Sequence, residues 1–280
     1  MVFEQIVSPE RLERTPARLF VVGFVWTILA AAISLYLFFP YASMLTVTFI
    51  VMLTLPFVYR VLGDEEIHYD EGWTEKNLFS AHLHTFACFL WLFFGILLGY
   101  VGWYLFAPPP LVSSLFQAQT ASILDVNGPA GYLVSSGTFW IIFWHNTRIL
   151  LVSIFLAFFL GAGPIFILTW NASVIATAIG HLFRDEWGVV LLSAGDLRSG
   201  EIAQAIMYPF FRYLAHGIPE ILGYIAAGLA GGIISVAVIR HHFSREHFHR
   251  AIGDACALVV FSLFLLFAAA LIEVRVLASV

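Results

Sequence analysis

Charged residues are scarce in this sequence. Only 11% of its 280 residues are Asp, Glu, Lys or Arg, whereas an ordinary soluble domain carries about a quarter, and 61% are apolar. A soluble protein of this length has no interior large enough to bury that much apolar surface. The net charge of -5 excludes the basic stripe by which proteins bind nucleic acid, so we expect no nucleic-acid partner.

Cysteine is also scarce. The two cysteines, Cys88 and Cys256, both lie within apolar runs and form neither a disulfide framework nor a Cys-x-x-Cys metal site. The sequence also lacks a Gly-rich phosphate loop, a nucleophile elbow and a His-Glu-x-x-His motif. We therefore predict no cofactor, and a non-enzymatic protein is the favoured interpretation.

The sequence is rich in long apolar runs. The first run, residues 19–39, carries no charge and exceeds the about 20 residues that cross a bilayer, so it predicts a retained anchor rather than a signal peptide. The pattern predicts an all-α, polytopic transmembrane bundle of six or seven spans in the cell membrane, with the lipid bilayer as a partner. The candidate spans are residues 19–39, 41–59, 85–107, a span within 138–168, 165–183, 215–239 and 251–274.

The fourth run, residues 138–168, is too long for one upright span. Either its first turns lie in the membrane interface or its helix is steeply tilted. The sequence Gly-Ala-Gly-Pro at 161–164 is a turn signal near its end. The number of spans therefore depends on this segment.

The distribution of Lys and Arg predicts that the N-terminus lies inside the cell. The acidic segment 63–80 is then a solvated cytoplasmic loop, and the His-rich segment 240–250 is a basic cytoplasmic anchor rather than a metal site. One integral membrane domain is expected, with a three-span region (1–137), a chemically distinctive core (138–250) and a last span (251–280). The basic residues placed inside are Arg11, Arg14, Arg18, Arg60, Lys76, Arg240, Arg245 and Arg250.

Several polar residues fall within the later spans, where an ionisable side chain costs about 2.5–3.5 kcal/mol on insertion scales. His145, Asn146 and Arg148 belong to the fourth span. Either they form a polar patch turned toward the bundle interior, or they snorkel to the outer interface. Asn171, in the fifth span, is expected to hydrogen-bond a neighbouring helix.

His216 and Glu220 share one face of the sixth span. Pro219 would mark the first turn of this helix, whose dipole then stabilises the Glu220 carboxylate. A metal site would need a third ligand, for which His145 or His181 must lie close. Because these polar groups all fall in the predicted outer half of the bilayer, we expect Arg148 to pair with Glu220.

Small residues recur at helical spacing after Glu220, which is typical of helices whose backbones pack closely. The pattern leaves open whether the partner helix belongs to the same chain. The packing residues predicted are Gly223, Gly228, Gly231 and Gly232, and Gly95 and Gly99 repeat the pattern in the third span.

These motifs resemble stage II sporulation protein M and its wider membrane family. The resemblance covers roughly residues 138–240, and its departures from the usual pattern fit a distant branch, an archaeal one among the alternatives, rather than a sporulation protein itself. His145 stands where the family often has Asn, and Ala172 where it commonly has Gly. The motifs are Phe143-Trp144-His145-Asn146-x-Arg148, Leu160-Gly161-x-Gly163, Leu168-x-x-Asn171 and His216-Gly217-x-x-Glu220-Ile221.

The resemblance implies a multi-pass protein without established enzymatic activity. The leading hypothesis is an assembly or scaffold subunit of an envelope or membrane-remodelling complex, whose partners are other membrane or envelope proteins or further copies of itself. The alternative is a permease or channel component with a polar site in the outer half of the bilayer. An intramembrane metallohydrolase is the third hypothesis.

Overall fold

A computed structural model describes residues 16–70, 75–126, 138–160, 163–192, 199–239 and 245–278 of the chain. Within these ranges the regular structure is helical throughout, with a short 3₁₀ turn at Phe39–Tyr41. The helices are α1 Ala17–Leu37, α2 Ala42–Asp70, α3 Glu75–Phe106, α4 Pro109–Leu115, α5 Gln117–Val126, α6 Thr138–Leu160, α7 Gly163–Leu192, α8 Ser199–Ile239 and α9 Arg245–Ala278.

Seven of these helices are long and apolar enough to cross a membrane, which confirms the predicted fold class and the higher of the two predicted span counts. Prolines set two of the boundaries between elements: Pro40 lies in the 3₁₀ turn between α1 and α2, and Pro109 occupies the first position of α4. The apolar segments are Ala17–Leu37, Phe39–Phe57, Leu83–Phe106, Thr138–Phe158, Ile165–Arg184, Leu214–Ser235 and Phe248–Arg275.

The long apolar run 138–168 is divided between two helices. Helix α6 ends at Leu160 and α7 begins at Gly163, so neither of the two explanations offered for a single long span is needed. Residues 161 and 162 of the predicted turn lie outside the described residues. Gly163 and Pro164 are the first two residues of α7, and proline is tolerated there because a first-turn N–H has no partner within the helix.

The polar segments between spans are more helical than predicted. Helix α2 continues to Asp70 and α3 begins at Glu75, so most of the acidic segment 63–80 is helix rather than loop. Helix α9 begins at Arg245, within the segment predicted as a basic loop, and residues 240–244 of that segment lie outside the described part. Arg11 and Arg14, which contributed to the predicted orientation, also lie outside it.

Glycines allow helix backbones to approach closely within the chain. A Cβ added at Gly231 of α8 would lie 2.6 Å from the Ile154 carbonyl oxygen and 2.8 Å from the Ala157 Cβ, both on α6. At Gly223 the nearest atoms belong to α9, with the Ser262 carbonyl oxygen at 3.3 Å. Gly228 is buried and Gly232 is partly buried on the same helix. The partners of this glycine pattern in α8 are thus α6 and α9 of the same chain.

The short helices α4 and α5 form a cap at one end of the bundle. Gln119 of α5 is fully buried, accepts a hydrogen bond from the Ser43 hydroxyl of α2 at 2.7 Å, and donates one to Ser173 of α7 at 3.0 Å. Arg184 of α7 donates to the Ala107 carbonyl oxygen at 2.9 Å, just before α4. The bonds of Gln119 fix the cap to two of the spanning helices, α2 and α7, and the bond of Arg184 fixes the residue just before the cap to α7.

Candidate functional site

A polar contact between α6 and α8 lies inside the membrane-spanning segments. The Asn146 side-chain amide donates a hydrogen bond to the Glu220 carboxylate. Asn146 is buried and Glu220 is partly buried. Because an unpaired carboxylate is costly in an apolar bundle, this bond accounts for part of the tolerance of Glu220 at this depth.

A second carboxyl group, that of Glu273 on α9, lies within electrostatic range of Glu220. Tyr224, one turn after Glu220 and almost fully buried, is within electrostatic reach of both. Three neighbouring helices therefore contribute to one polar site, formed by Asn146, Glu220, Tyr224 and Glu273. We call these four residues the carboxylate site.

The helix dipole does not explain the position of Glu220. Helix α8 begins at Ser199 and passes without interruption through Pro219, so Glu220 lies near the middle of a 41-residue helix rather than in a first turn. The prediction that Pro219 begins the helix was therefore wrong. Proline at this position leaves the Ala215 carbonyl without its usual backbone donor, because the proline ring has no N–H.

Arg148 does not form the ion pair predicted with Glu220. Its side chain is exposed, and its guanidinium lies 5.8 Å from the centre of the Trp144 ring on the same helix. Residues two apart on an α-helix point about 200° apart, so a helix that turns Asn146 toward α8 must turn Arg148 away. His145 is exposed as well. Of the predicted fourth-span patch, Asn146 alone faces the bundle interior.

The structure also gives the positions of Asn171, His181 and His216. Asn171 donates to the Ile167 carbonyl oxygen of its own helix at 2.8 Å, rather than to a neighbouring helix as expected. His181 is exposed near the end of the fifth span, and His216 is partly buried one turn before Glu220. Among the residues that the structure describes, no three His, Cys, Asp or Glu side chains converge as a metal site would require.

A family model for stage II sporulation protein M matches residues 17–276 of the chain. The chain belongs to the stage II sporulation protein M family. The match extends well beyond residues 138–240, where the motifs suggested the resemblance, and takes in α1–α5 and most of α9. Comparison with curated proteins gives no match, and neither does comparison with solved structures.

Two residues of the carboxylate site, Tyr224 and Glu273, escaped the sequence analysis. Glu273 lies near the end of the last apolar segment, beside Arg275, and was passed over as the edge of a span. The signal was nevertheless present, because α8 and α9 run in opposite directions and place Glu220 and Glu273 at the same end of the bundle. Gln119, which belongs to the cap and not to this site, gave no comparable signal, since it lies in a short polar segment that was not expected to enter the bundle.

Proposed function

We propose that this member of the stage II sporulation protein M family is a non-enzymatic assembly subunit of the cell membrane. The observation that carries the proposal is the fixed cap of α4 and α5. Its internal face is bonded to the spanning helices through Gln119, while Ser113, Gln117 and Thr120 remain exposed on its surface. A polar surface on a rigid support suits a partner protein, because little conformational freedom is lost when the partner binds.

The cap also has little charge. Asp125 is the single charged residue within α4 and α5, so the cap lacks the cluster of charged groups that would bind a nucleotide or a metal ion. Exposed prolines Pro108, Pro109 and Pro110 limit the backbone freedom of its first turn. These features support a protein partner from the membrane or the envelope, or a second copy of the chain, rather than a small charged substrate.

Photo-crosslinking in the native membrane tests this proposal. A photoreactive residue at Gln117 should give a discrete protein adduct, whereas the same residue at Val260, on an exposed face of α9, should not. The Gln119→Leu variant should weaken the Gln117 adduct because it releases the cap. The exposed variant Ser113→Ala is the matched control and should leave the adduct unchanged. A Gln117 adduct with lipid alone would contradict the proposal.

A permease component is the second candidate, and the carboxylate site favours it. Two carboxylates from adjacent helices can bind and release a proton or a small cation, and intramembrane carboxylates often serve ion or substrate pathways. Purified protein in sealed vesicles should then move protons or a small solute. Glu220→Gln and Glu273→Gln should each abolish that flux. An assembly subunit would show no flux of its own and would keep its Gln117 adduct in both variants.

A further inference from the structure

The exposed face of α6 carries an arginine inside a membrane-spanning segment. Arg148 follows Thr138 by ten residues, about 15 Å along the helix axis, and belongs to the apolar segment Thr138–Phe158. A charged side chain at this depth on an exposed face requires an anionic neighbour or access to the interface. Within the described part of the chain, the contact recorded for Arg148 is with an aromatic ring, not with a carboxylate.

The arginine is directed toward the nearer end of its helix. Side chains on an α-helix lean toward the N-terminus, and the guanidinium of Arg148 lies over Trp144, one turn closer to Thr138. At 5.8 Å from the ring centre this contact is within the range of a cation–π interaction. The positive charge therefore lies closer to the start of α6 than the Arg148 Cα does, in the direction of the leaflet that surrounds the start of this helix.

The residues around Arg148 suit the membrane interface. Trp140 and Trp144 are 62% and 55% exposed and lie one turn apart, and Trp is enriched at the level of lipid headgroups. His145, also exposed, adds an imidazole N–H donor three residues before Arg148. We call Trp140, Trp144, His145 and Arg148 the α6 outer face.

A partner helix fits this face poorly. Helices that associate in membranes need small residues at the contact, so that their backbones can approach. The α6 outer face continues into Leu151, Val152 and Phe155, which are all at least half exposed and all bulky. A lipid can adapt to such a surface, whereas a packed helix requires a complementary groove.

We propose that the α6 outer face binds the phosphate of an anionic phospholipid in the leaflet at the Thr138 end of α6. The Arg148 guanidinium offers planar paired donors to the phosphate oxygens, and His145 supplies a further donor. Trp144 holds the guanidinium in place, and the acyl chains lie along Leu151 and Phe155. This inference is independent of the proposed function, because it uses neither the cap nor the carboxylate site.

Native mass spectrometry of the full chain tests the proposal. The protein is purified in detergent and mixed with equal amounts of phosphatidylglycerol and phosphatidylcholine. The measured quantity is the ratio of protein carrying one phosphatidylglycerol to protein carrying one phosphatidylcholine. Arg148→Gln should lower this ratio about tenfold or more, the factor that corresponds to the loss of one hydrogen bond between charged groups. The exposed arginine variant Arg275→Gln is the matched control and should leave the ratio close to wild type.

Two results would overturn the proposal. The first is an Arg148→Gln ratio equal to that of Arg275→Gln. The second is efficient disulfide dimerisation of a Val152→Cys variant in a Cys256→Ser background, since that would place a second copy of α6 on this face. If Arg148→Gln does not fold, the Trp144→Leu variant is measured instead. It keeps the arginine but removes the ring that holds the guanidinium, so a lipid ratio equal to that of wild type would also overturn the proposal.

Discussion

At the scale of single residues, the carboxylate site depends on a neutral donor rather than on a countercharge. Asn146 supplies an amide N–H to Glu220 across the α6–α8 contact. A neutral donor costs less than arginine to bury, because its own desolvation penalty is small. The same helix geometry that brings Asn146 inward turns Arg148 outward, so one short motif supplies an internal hydrogen bond and an external cation.

Asn146→Leu should destabilise the bundle by about 1–3 kcal/mol, because it leaves the Glu220 carboxylate without this donor in an apolar setting. The free energy of unfolding in mixed detergent micelles measures the loss. The double variant Asn146→Leu/Glu220→Leu should recover most of it, since both polar partners are then removed. Thr147→Val is the matched control, because the Thr147 hydroxyl bonds the Phe143 carbonyl of its own helix. Equal losses in the single and double variants would contradict this account.

Glu273→Gln should stabilise the protein, because it relieves the desolvation of a partly buried carboxylate and its repulsion with Glu220. The gain should be smaller when Glu220 is already Gln, and the coupling between the two positions should be about 0.5–3 kcal/mol. A thermal unfolding series on wild type, both single variants and the double variant measures it. Additive effects of the two substitutions would show that the carboxylates do not interact.

At the scale of helices, α8 holds the later half of the bundle together. It packs on α6, α7 and α9, and its glycines bring two of these neighbours to backbone contact. Ser235 adds a hydrogen bond to the Phe158 carbonyl oxygen of α6 at 2.8 Å. The Asn146–Glu220 bond and the Gly231 contact lie along the same helix pair, so the position of Glu220 depends on the spacing of α6 and α8.

Gly231→Ala should destabilise the bundle by about 1–3 kcal/mol, because the added methyl group meets the Ile154 carbonyl oxygen and α6 must move away. Gly102→Ala is a matched control on α3. No atom lies within 4 Å of an added Cβ there, so only the gain in helix propensity remains, and that variant should be neutral or slightly stabilised. The unfolding free energies of the two variants give the comparison directly. A Gly231 variant as stable as the Gly102 variant would show that the two helices are not in tight contact.

At the scale of the whole molecule, the sequence predicted the membrane bundle well and its polar contacts poorly. Apolar run length determines where a helix can cross a bilayer, so all seven spans could be placed within a few residues. The partner of Glu220 could not be deduced, because it depends on the rotation of α6 about its axis, and the apolar runs constrain that rotation weakly. Gln119 shows the same limit, since a short segment between spans carries no sign that it folds back into the bundle.

The orientation of the whole bundle remains a prediction that labelling can test. If the N-terminus is inside, the cap lies outside and the start of α1 lies inside. In a Cys256→Ser background, Ser113→Cys should react with a membrane-impermeant maleimide added to intact cells, whereas Arg18→Cys should react only after the membrane is opened. Both positions are exposed in the structure, so the difference in labelling reports the side of the membrane rather than burial. The reverse pattern would invert the bundle, placing the cap and the start of α6 toward the cytoplasm, where an assembly partner and an anionic lipid would then have to be sought.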